Sequence, residues 1–180
     1  MHTSPYDRIA HHHLDSFLGT IEGSEAALFC AVSTHALSQQ AHDALMASAG
    51  RLKYSPKQVC FITLTVTGAE GGQSATTATG AEGDQSATTT TMTGTNQLAA
   101  TPRQLLEAIE AIDPLCVVLT DRKAVETASA GYNAPLSLET KEHLLGRGCC
   151  CFEDFEALLE SEQGKRTAWN CLRTLPACFG

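Results

Sequence analysis

The order of apolar segments predicts an α/β protein, specifically a three-layer α/β/α sandwich around a four-stranded parallel sheet. Four short apolar runs of strand length alternate with stretches whose apolar residues recur at helical intervals. The runs are apolar on both faces, which is typical of a parallel sheet covered by helices on both sides. Right-handed crossovers between such strands make the three-layer sandwich the simplest arrangement.

The first two strands lie in the amino-terminal half of the chain. Residues 7–23, DRIAHHHLDSFLGTIEG, predict an opening helix because Ile, Phe and Leu recur at near-helical intervals. AALFCAVS (26–33) predicts the first strand, and the β-branched segment QVCFITLTV (58–66) predicts the second. Between them, ALSQQAHDALMASAG (36–50) predicts a helix that ends at its final glycine, Gly50.

The third strand follows a helix with a clear start. In TPRQLLEAIEAI (101–112), Thr101 suits the N-cap, Pro102 suits the first helical position, and Gln104 completes a capping box. The apolar run PLCVVLT (114–120) then predicts the third strand.

The last third of the chain completes the alternation. DRKAVETASAG (121–131) predicts a helix ended by Gly131, and GRGCCCFE (146–153) predicts the fourth strand. The remaining segment, 154–175, predicts one helix, or two helices separated at Gly164.

Size and charge restrict the function classes. The 180 residues suit one domain over 1–180, with a core large enough to need no metal, cofactor or disulfide for stability. A net charge of −8 argues against a nucleic-acid partner, because phosphate binding needs a basic surface. No apolar run reaches the length of a membrane span and the N-terminus does not resemble a secretory signal, so we expect a cytoplasmic protein without a membrane partner.

A duplicated low-complexity segment separates the second strand from the next helix. TGAEGGQSATTA (67–78) and TGAEGDQSATTT (79–90) agree at 10 of 12 positions. Small and polar residues of this kind cannot bury enough apolar surface to offset the entropy of ordering. We therefore predict a flexible insert at 67–98; the alternative is a lid over a site at the edge of the sheet.

Three consecutive cysteines in the fourth strand resemble a metal or redox site. On a strand, Cys149 and Cys151 would face one side and Cys150 the other, so the three cannot converge on one zinc ion. Each of the other three strands also carries one cysteine: Cys30, Cys60 and Cys116. The pattern favours cysteine as a small buried apolar residue, and the alternative is a reactive thiol at the strand end, at Cys151.

Three consecutive histidines near the N-terminus are the other metal-like feature. On a helix, His11, His12 and His13 would point in three directions, which favours a solvated surface over a metal site. With His2 nearby, incidental affinity for a transition metal is the alternative. We predict no metal-binding residues.

The carboxyl ends of the strands form the candidate functional edge. Ligands of open parallel sheets bind outside these ends. A base, carboxylates and a cation there would suit general acid–base chemistry, whereas Asp121 and Asp154 would also suit helix N-caps. The candidate residues are His35, Asp121, Arg122, Glu153 and Asp154, with Ser33, Thr34, Thr65 and Thr67 beside them.

Three segments carry a family resemblance. The stretches 47–66, ASAGRLKYSPKQVCFITLTV, and 101–125, TPRQLLEAIEAIDPLCVVLTDRKAV, together with KRTAWNCLRTL (165–175), resemble segments of the uracil-DNA glycosylase-like α/β/α superfamily. The similarity lies in pattern and element order over about residues 26–175. It implies four parallel strands in the order 2-1-3-4.

The functional loops of that superfamily are absent. Its water-activating Gly-acid-x-Pro-Gly type of loop is replaced by STHALSQQ (33–40), and its DNA-inserting His-Pro-Ser type of loop by FEDFEA (152–157). The cysteine spacing of its iron–sulfur members is missing too. Base excision needs a pocket for the flipped nucleotide and a positioned water, so the resemblance implies the fold without the activity.

Three function classes follow from these observations. The first is a non-catalytic interaction or accessory module that binds a protein partner or a second copy of itself. The second is a small-molecule-binding protein or enzyme that uses the strand-end cleft around His35, Asp121 and Arg122. The third is residual binding of nucleobases or nucleic acid. Fold alone does not separate them.

Overall fold

A six-stranded sheet forms the centre of the molecule. The computed structural model describes residues 17–24, 26–65 and 100–178. In this part of the chain the strands lie side by side in the order β1-β3-β2-β4-β6-β5. Their bounds are β1 Gly19–Gly23, β2 Phe29–Ser33, β3 Val59–Leu64, β4 Cys116–Leu119, β5 Lys141–Leu144 and β6 Arg147–Cys151.

The sheet is mixed. Its four central strands, β3, β2, β4 and β6, pair in parallel, whereas β1 pairs antiparallel with β3 and β5 pairs antiparallel with β6. The α/β class is therefore confirmed. The predicted four-stranded, wholly parallel sheet is wrong, because an antiparallel strand extends the sheet at each edge.

Strand β1 replaces the end of the predicted opening helix. Gly19 lies so close to β3 that a Cβ atom there would be 2.4 Å from the carbonyl oxygen of Thr63, and Gly23 has a φ of +106°. Two glycines weaken a helix by about 1 kcal/mol each, whereas here they allow close backbone pairing. The prediction of a helix is wrong at 19–23, and residues 7–16 lie outside the described part of the chain.

Strand β5 carried no apolar pattern that would have predicted it. Its sequence is KEHL, and only Leu144 is buried, because the strand lies at the edge of the sheet. It joins β6 through the two-residue turn Leu145–Gly146, in which both residues have positive φ, 47° and 87°. Positive φ at both positions is the type I′ hairpin geometry, which normally favours Asn-Gly.

Five α-helices and one 3-10 helix are described. Thr101 accepts a hydrogen bond from the Gln104 N–H, which confirms the predicted start of the third helical segment. The final segment forms two helices, and the break lies at 159–161 instead of at Gly164. The bounds are α1 Gln39–Arg51, 3-10 Pro56–Gln58, α2 Pro102–Ile112, α3 Arg122–Tyr132, α4 Phe155–Leu158 and α5 Glu162–Leu172.

The helices do not end at the predicted glycines. Gly50 lies inside α1, and Lys53 after the helix has the left-handed conformation, with φ 68°. Gly131 lies inside α3, which ends at Asn133 with φ 49°. The predictions of Gly50 and Gly131 as stops are wrong, because Lys and Asn here adopt the backbone conformation usually left to glycine.

Two apolar cores cover the two faces of the sheet. Helices α2 and α3 pack on one face, and α1, α4 and α5 pack on the other, which gives three layers. Cys149 and Cys151 belong to the first core and Cys150 to the second, so the predicted alternation is confirmed. All three side chains are fully buried. Among the described residues, no helix is both long and apolar enough to cross a membrane.

Candidate functional site

The carboxyl ends of β2, β4 and β6 bring the predicted edge residues together. Beyond the sheet, the chains leaving β4 and β6 stay paired through an isolated antiparallel bridge between Asp121 and Asp154. The backbone N–H of Arg122 donates to the carbonyl oxygen of Glu153 at 2.9 Å, and Phe155 donates to Thr120 at 2.8 Å. The two loops are therefore held by main-chain bonds before any side chain contributes.

Asp121 is the central side chain of this edge. Its Oδ2 accepts from the Thr34 N–H at 2.8 Å, and its Oδ1 accepts from the Thr34 hydroxyl at 2.9 Å. Oδ1 also accepts from the Ala124 N–H at 2.9 Å, which caps α3. The side chain is only 12% exposed. This carboxylate therefore joins the loop after β2 to the start of α3, and its role as an N-cap is confirmed.

His35 is a half-exposed candidate group. Its Nδ1 lies 3.9 Å from Asp121 Oδ2, which is too far for a hydrogen bond, and its side chain is 50% exposed. The Ser33 hydroxyl donates to the His35 carbonyl oxygen at 2.7 Å, which fixes the backbone at this point. The His35 imidazole therefore lies beside the Asp121 carboxylate without a hydrogen bond to it, and half of the side chain is exposed.

The other three candidate side chains contact other residues of the protein: Arg122, Glu153 and Asp154. Arg122 pairs with Glu153, and this hydrogen bond raises the pKa of the Arg122 guanidinium. Both side chains are more than half exposed, so the pair contributes little to stability. Asp154 Oδ1 accepts from the Ala157 N–H at 2.9 Å and caps α4, as the capping alternative predicted.

Sequence reasoning missed one carboxylate at this edge. Glu156 Oε1 accepts from the backbone N–H of Ser38 at 2.6 Å, and this bond ties α4 to the start of α1. No local pattern indicates a pair separated by 118 residues. Thr65 is exposed beyond β3, and Thr67 lies outside the described residues, as do the insert at 67–98 and His11–His13.

Two of the buried thiols, Cys149 and Cys116, have pKa values above that of an ordinary thiol. Cys149 and Cys151 have their sulfur atoms 3.7 Å apart, and the bond from Cys151 together with burial raises the pKa of Cys149 well above its usual value. Burial raises the pKa of Cys116 to about 11. Cys151 is fully buried, which opposes the alternative of a reactive thiol there.

Cys150 and Cys171 form a second thiol pair on the other face of the sheet. The hydrogen bond between them and burial raise the pKa of Cys150, whereas the same bond lowers the pKa of Cys171. Cys171 is only 8% exposed. Within the described ranges, no group of three His, Cys, Asp or Glu side chains is arranged to hold a metal ion.

Comparison with protein-family models finds no match for this chain, and comparison with curated proteins finds no significant match. The resemblance to the uracil-DNA glycosylase-like superfamily therefore stays a prediction.

Proposed function

We propose that this protein is a non-catalytic interaction or accessory module with a uracil-DNA glycosylase-like fold and without glycosylase activity. The observation that supports this most is the bonding of Asp121, whose carboxylate accepts three hydrogen bonds from Thr34 and Ala124. A catalytic acid or base must instead direct a free lone pair or proton at the substrate. The Asp121 carboxylate is used to hold the loop after β2 against α3.

The four central strands support the finer fold assignment. Their neighbours follow the order 2-1-3-4 when only these four strands are counted. The segments at 33–40 and 152–157, which replace the family's functional loops, lead directly into α1 and α4 through the N-caps Ser38 and Asp154. We place the protein in the cytoplasm, where eight free cysteines are compatible with a reducing environment.

A protein surface is the partner that fits this module best. The net charge of −8 opposes binding to a phosphate backbone. Two large apolar side chains are exposed among the described residues, Leu145 at 74% and Leu115 at 46%. Both lie towards the amino ends of the parallel strands, at the opposite end of the sheet from His35.

Co-purification with matched variants tests the module. Leu145→Asn removes the exposed apolar side chain and suits the positive φ of the turn, so the fold is retained. We expect a stoichiometric protein partner, or a second copy of the chain, that is retained by His35→Ala and lost by Leu145→Asn. A partner that is lost by His35→Ala and retained by Leu145→Asn would contradict this assignment.

A direct assay tests the absence of glycosylase activity. The full chain is incubated with single- and double-stranded uracil-containing DNA at low salt, and free uracil and complex formation are measured. We expect neither, because the Asp121 carboxylate at this edge is already hydrogen-bonded to the protein and the chain is acidic. Uracil release, or binding that weakens steeply with salt, would support residual nucleic-acid function instead.

The second candidate is a small-molecule-binding protein or enzyme at the strand-end cleft. The half-exposed His35 beside Asp121 favours it, since an imidazole next to a carboxylate suits a general base. A ligand or turnover that depends on this cleft would be lost in His35→Ala and retained in Lys57→Gln, a control on the 3-10 helix at the other end of the sheet.

A further inference from the structure

A groove lies between α1 and α5, on the helical layer formed by α1, α4 and α5. It has a volume of about 350 Å³, which lies at the small end of the range for small-molecule sites, roughly 300–1,000 Å³. Ala44 and Ala47 of α1 form one side, and their small side chains leave the space open. Phe155 and Leu159 contribute apolar surface from the chain around α4.

Arg51 is the cation of this groove. Its guanidinium carbon lies 5.0 Å from the centroid of the Trp169 ring, so the ring holds the end of the Arg51 side chain by a cation–π contact. A cation–π contact does not use the N–H groups of a guanidinium as hydrogen-bond donors to an oxygen, so they can still donate to a ligand. No carboxylate in the part of the chain that the structure describes pairs with Arg51.

The second cation of the groove is already paired. Lys165 donates to Glu162 at 2.7 Å, and this contact lowers the pKa of the Glu162 carboxyl. Together, Lys165 and Glu162 carry no net charge. Among the described residues, Arg51 is therefore the cation of the groove without a carboxylate partner, in a protein whose net charge is −8.

We propose that the groove between α1 and α5 binds a small amphipathic carboxylate, with its apolar body against Ala47 and Trp169 and its carboxylate on Arg51. A carboxylate matches the guanidinium because two parallel N–H groups donate to its two oxygens. The volume is too small for a protein helix, whose binding would need a far larger apolar surface. This binding is independent of the function of the strand-end edge.

Trp169 provides the measurement, because it is the single tryptophan of the chain. The full chain is titrated with decanoate, decan-1-ol and decylammonium, which share an apolar body and differ in charge. Tryptophan fluorescence and isothermal titration calorimetry follow the binding. We expect decanoate to bind tightest and to shift the Trp169 emission, decan-1-ol to bind more weakly, and decylammonium to bind weakest.

Three variants separate the charge from the shape of the groove. Arg51→Gln should weaken decanoate binding about tenfold, the usual loss of a charge-assisted hydrogen bond, and leave decan-1-ol unchanged. Ala47→Leu fills the groove and should weaken both ligands. Arg173→Gln removes a positive charge outside the groove and should change neither. Ala47 is exposed on α1, so the leucine does not disturb the core.

Each remaining outcome contradicts the proposal. If decanoate does not bind, the groove is not a site for amphipathic carboxylates. If decylammonium binds as tightly as decanoate, Arg51 does not select for a negative charge. Decanoate binding that both Arg51→Gln and Ala47→Leu leave unchanged places the ligand elsewhere on the protein.

Discussion

The cysteines contribute to this protein as small apolar side chains. Seven of the eight are buried, and Cys178 alone is half-buried. Alternation along a strand predicted which face Cys149, Cys150 and Cys151 would take, because that period belongs to any strand. The thiol pair formed by Cys150 and Cys171 could not be predicted, because it depends on how α5 packs against the sheet.

Native thiol labelling tests this role. With dithiobis-nitrobenzoate under native conditions, we expect fast reaction of no more than one thiol per chain, at Cys178, because burial shields the other seven from the reagent. All eight should react after denaturation, and Cys178→Ser should remove the fast phase. Rapid labelling of Cys151, mapped by mass spectrometry, would restore the interpretation of a reactive thiol.

At the scale of single elements, glycines were the least reliable signal. Gly131 was predicted to stop a helix, yet it allows α3 to approach α2: a Cβ there would lie 2.4 Å from the carbonyl oxygen of Pro102. Gly164 similarly lies against the carbonyl oxygen of Leu158. A sequence shows that a glycine is present, but it does not show whether the reason is a turn or a close contact.

Two alanine substitutions separate these roles. Gly50→Ala should stabilise the protein by about 0.5–1 kcal/mol, because Gly50 is inside α1 and no atom lies within 4 Å of the added methyl group. Gly131→Ala should destabilise it by about 1–3 kcal/mol, because α2 and α3 must move apart. Urea unfolding measures both. Equal effects of the two substitutions would show that helix propensity alone determines the change in stability, and would contradict the close contact at Gly131.

The strands show a similar division between what could and could not be predicted. The four central strands are apolar on both faces, and this pattern was sufficient to locate them. The edge strands β1 and β5 face solvent along one side, so their sequences, GTIEG and KEHL, carry no comparable signal. Their existence follows from backbone pairing with β3 and β6, which no local pattern records.

At the scale of the whole molecule, the parallel strands determine which residues meet. Because they deliver their carboxyl ends to one edge, the sequence was enough to predict that His35, Asp121 and Asp154 would come together. The sequence also predicted the N-cap roles of Asp121 and Asp154, but it could not predict the bonds from Thr34 to Asp121, which join residues 87 positions apart. The sequence therefore could not show whether the Asp121 carboxylate is free for catalysis or is bonded to support the fold.

The free energy of unfolding of Asp121→Asn tests this account most directly. If the carboxylate holds the loop after β2 against α3, the amide loses part of that bonding, and stability should fall by about 1–3 kcal/mol in urea unfolding. Glu153→Gln, at an exposed pair on the same edge, should stay within about 0.5 kcal/mol of the wild-type protein. An Asp121→Asn protein as stable as the wild type would contradict the account, because the carboxylate would then be free for chemistry.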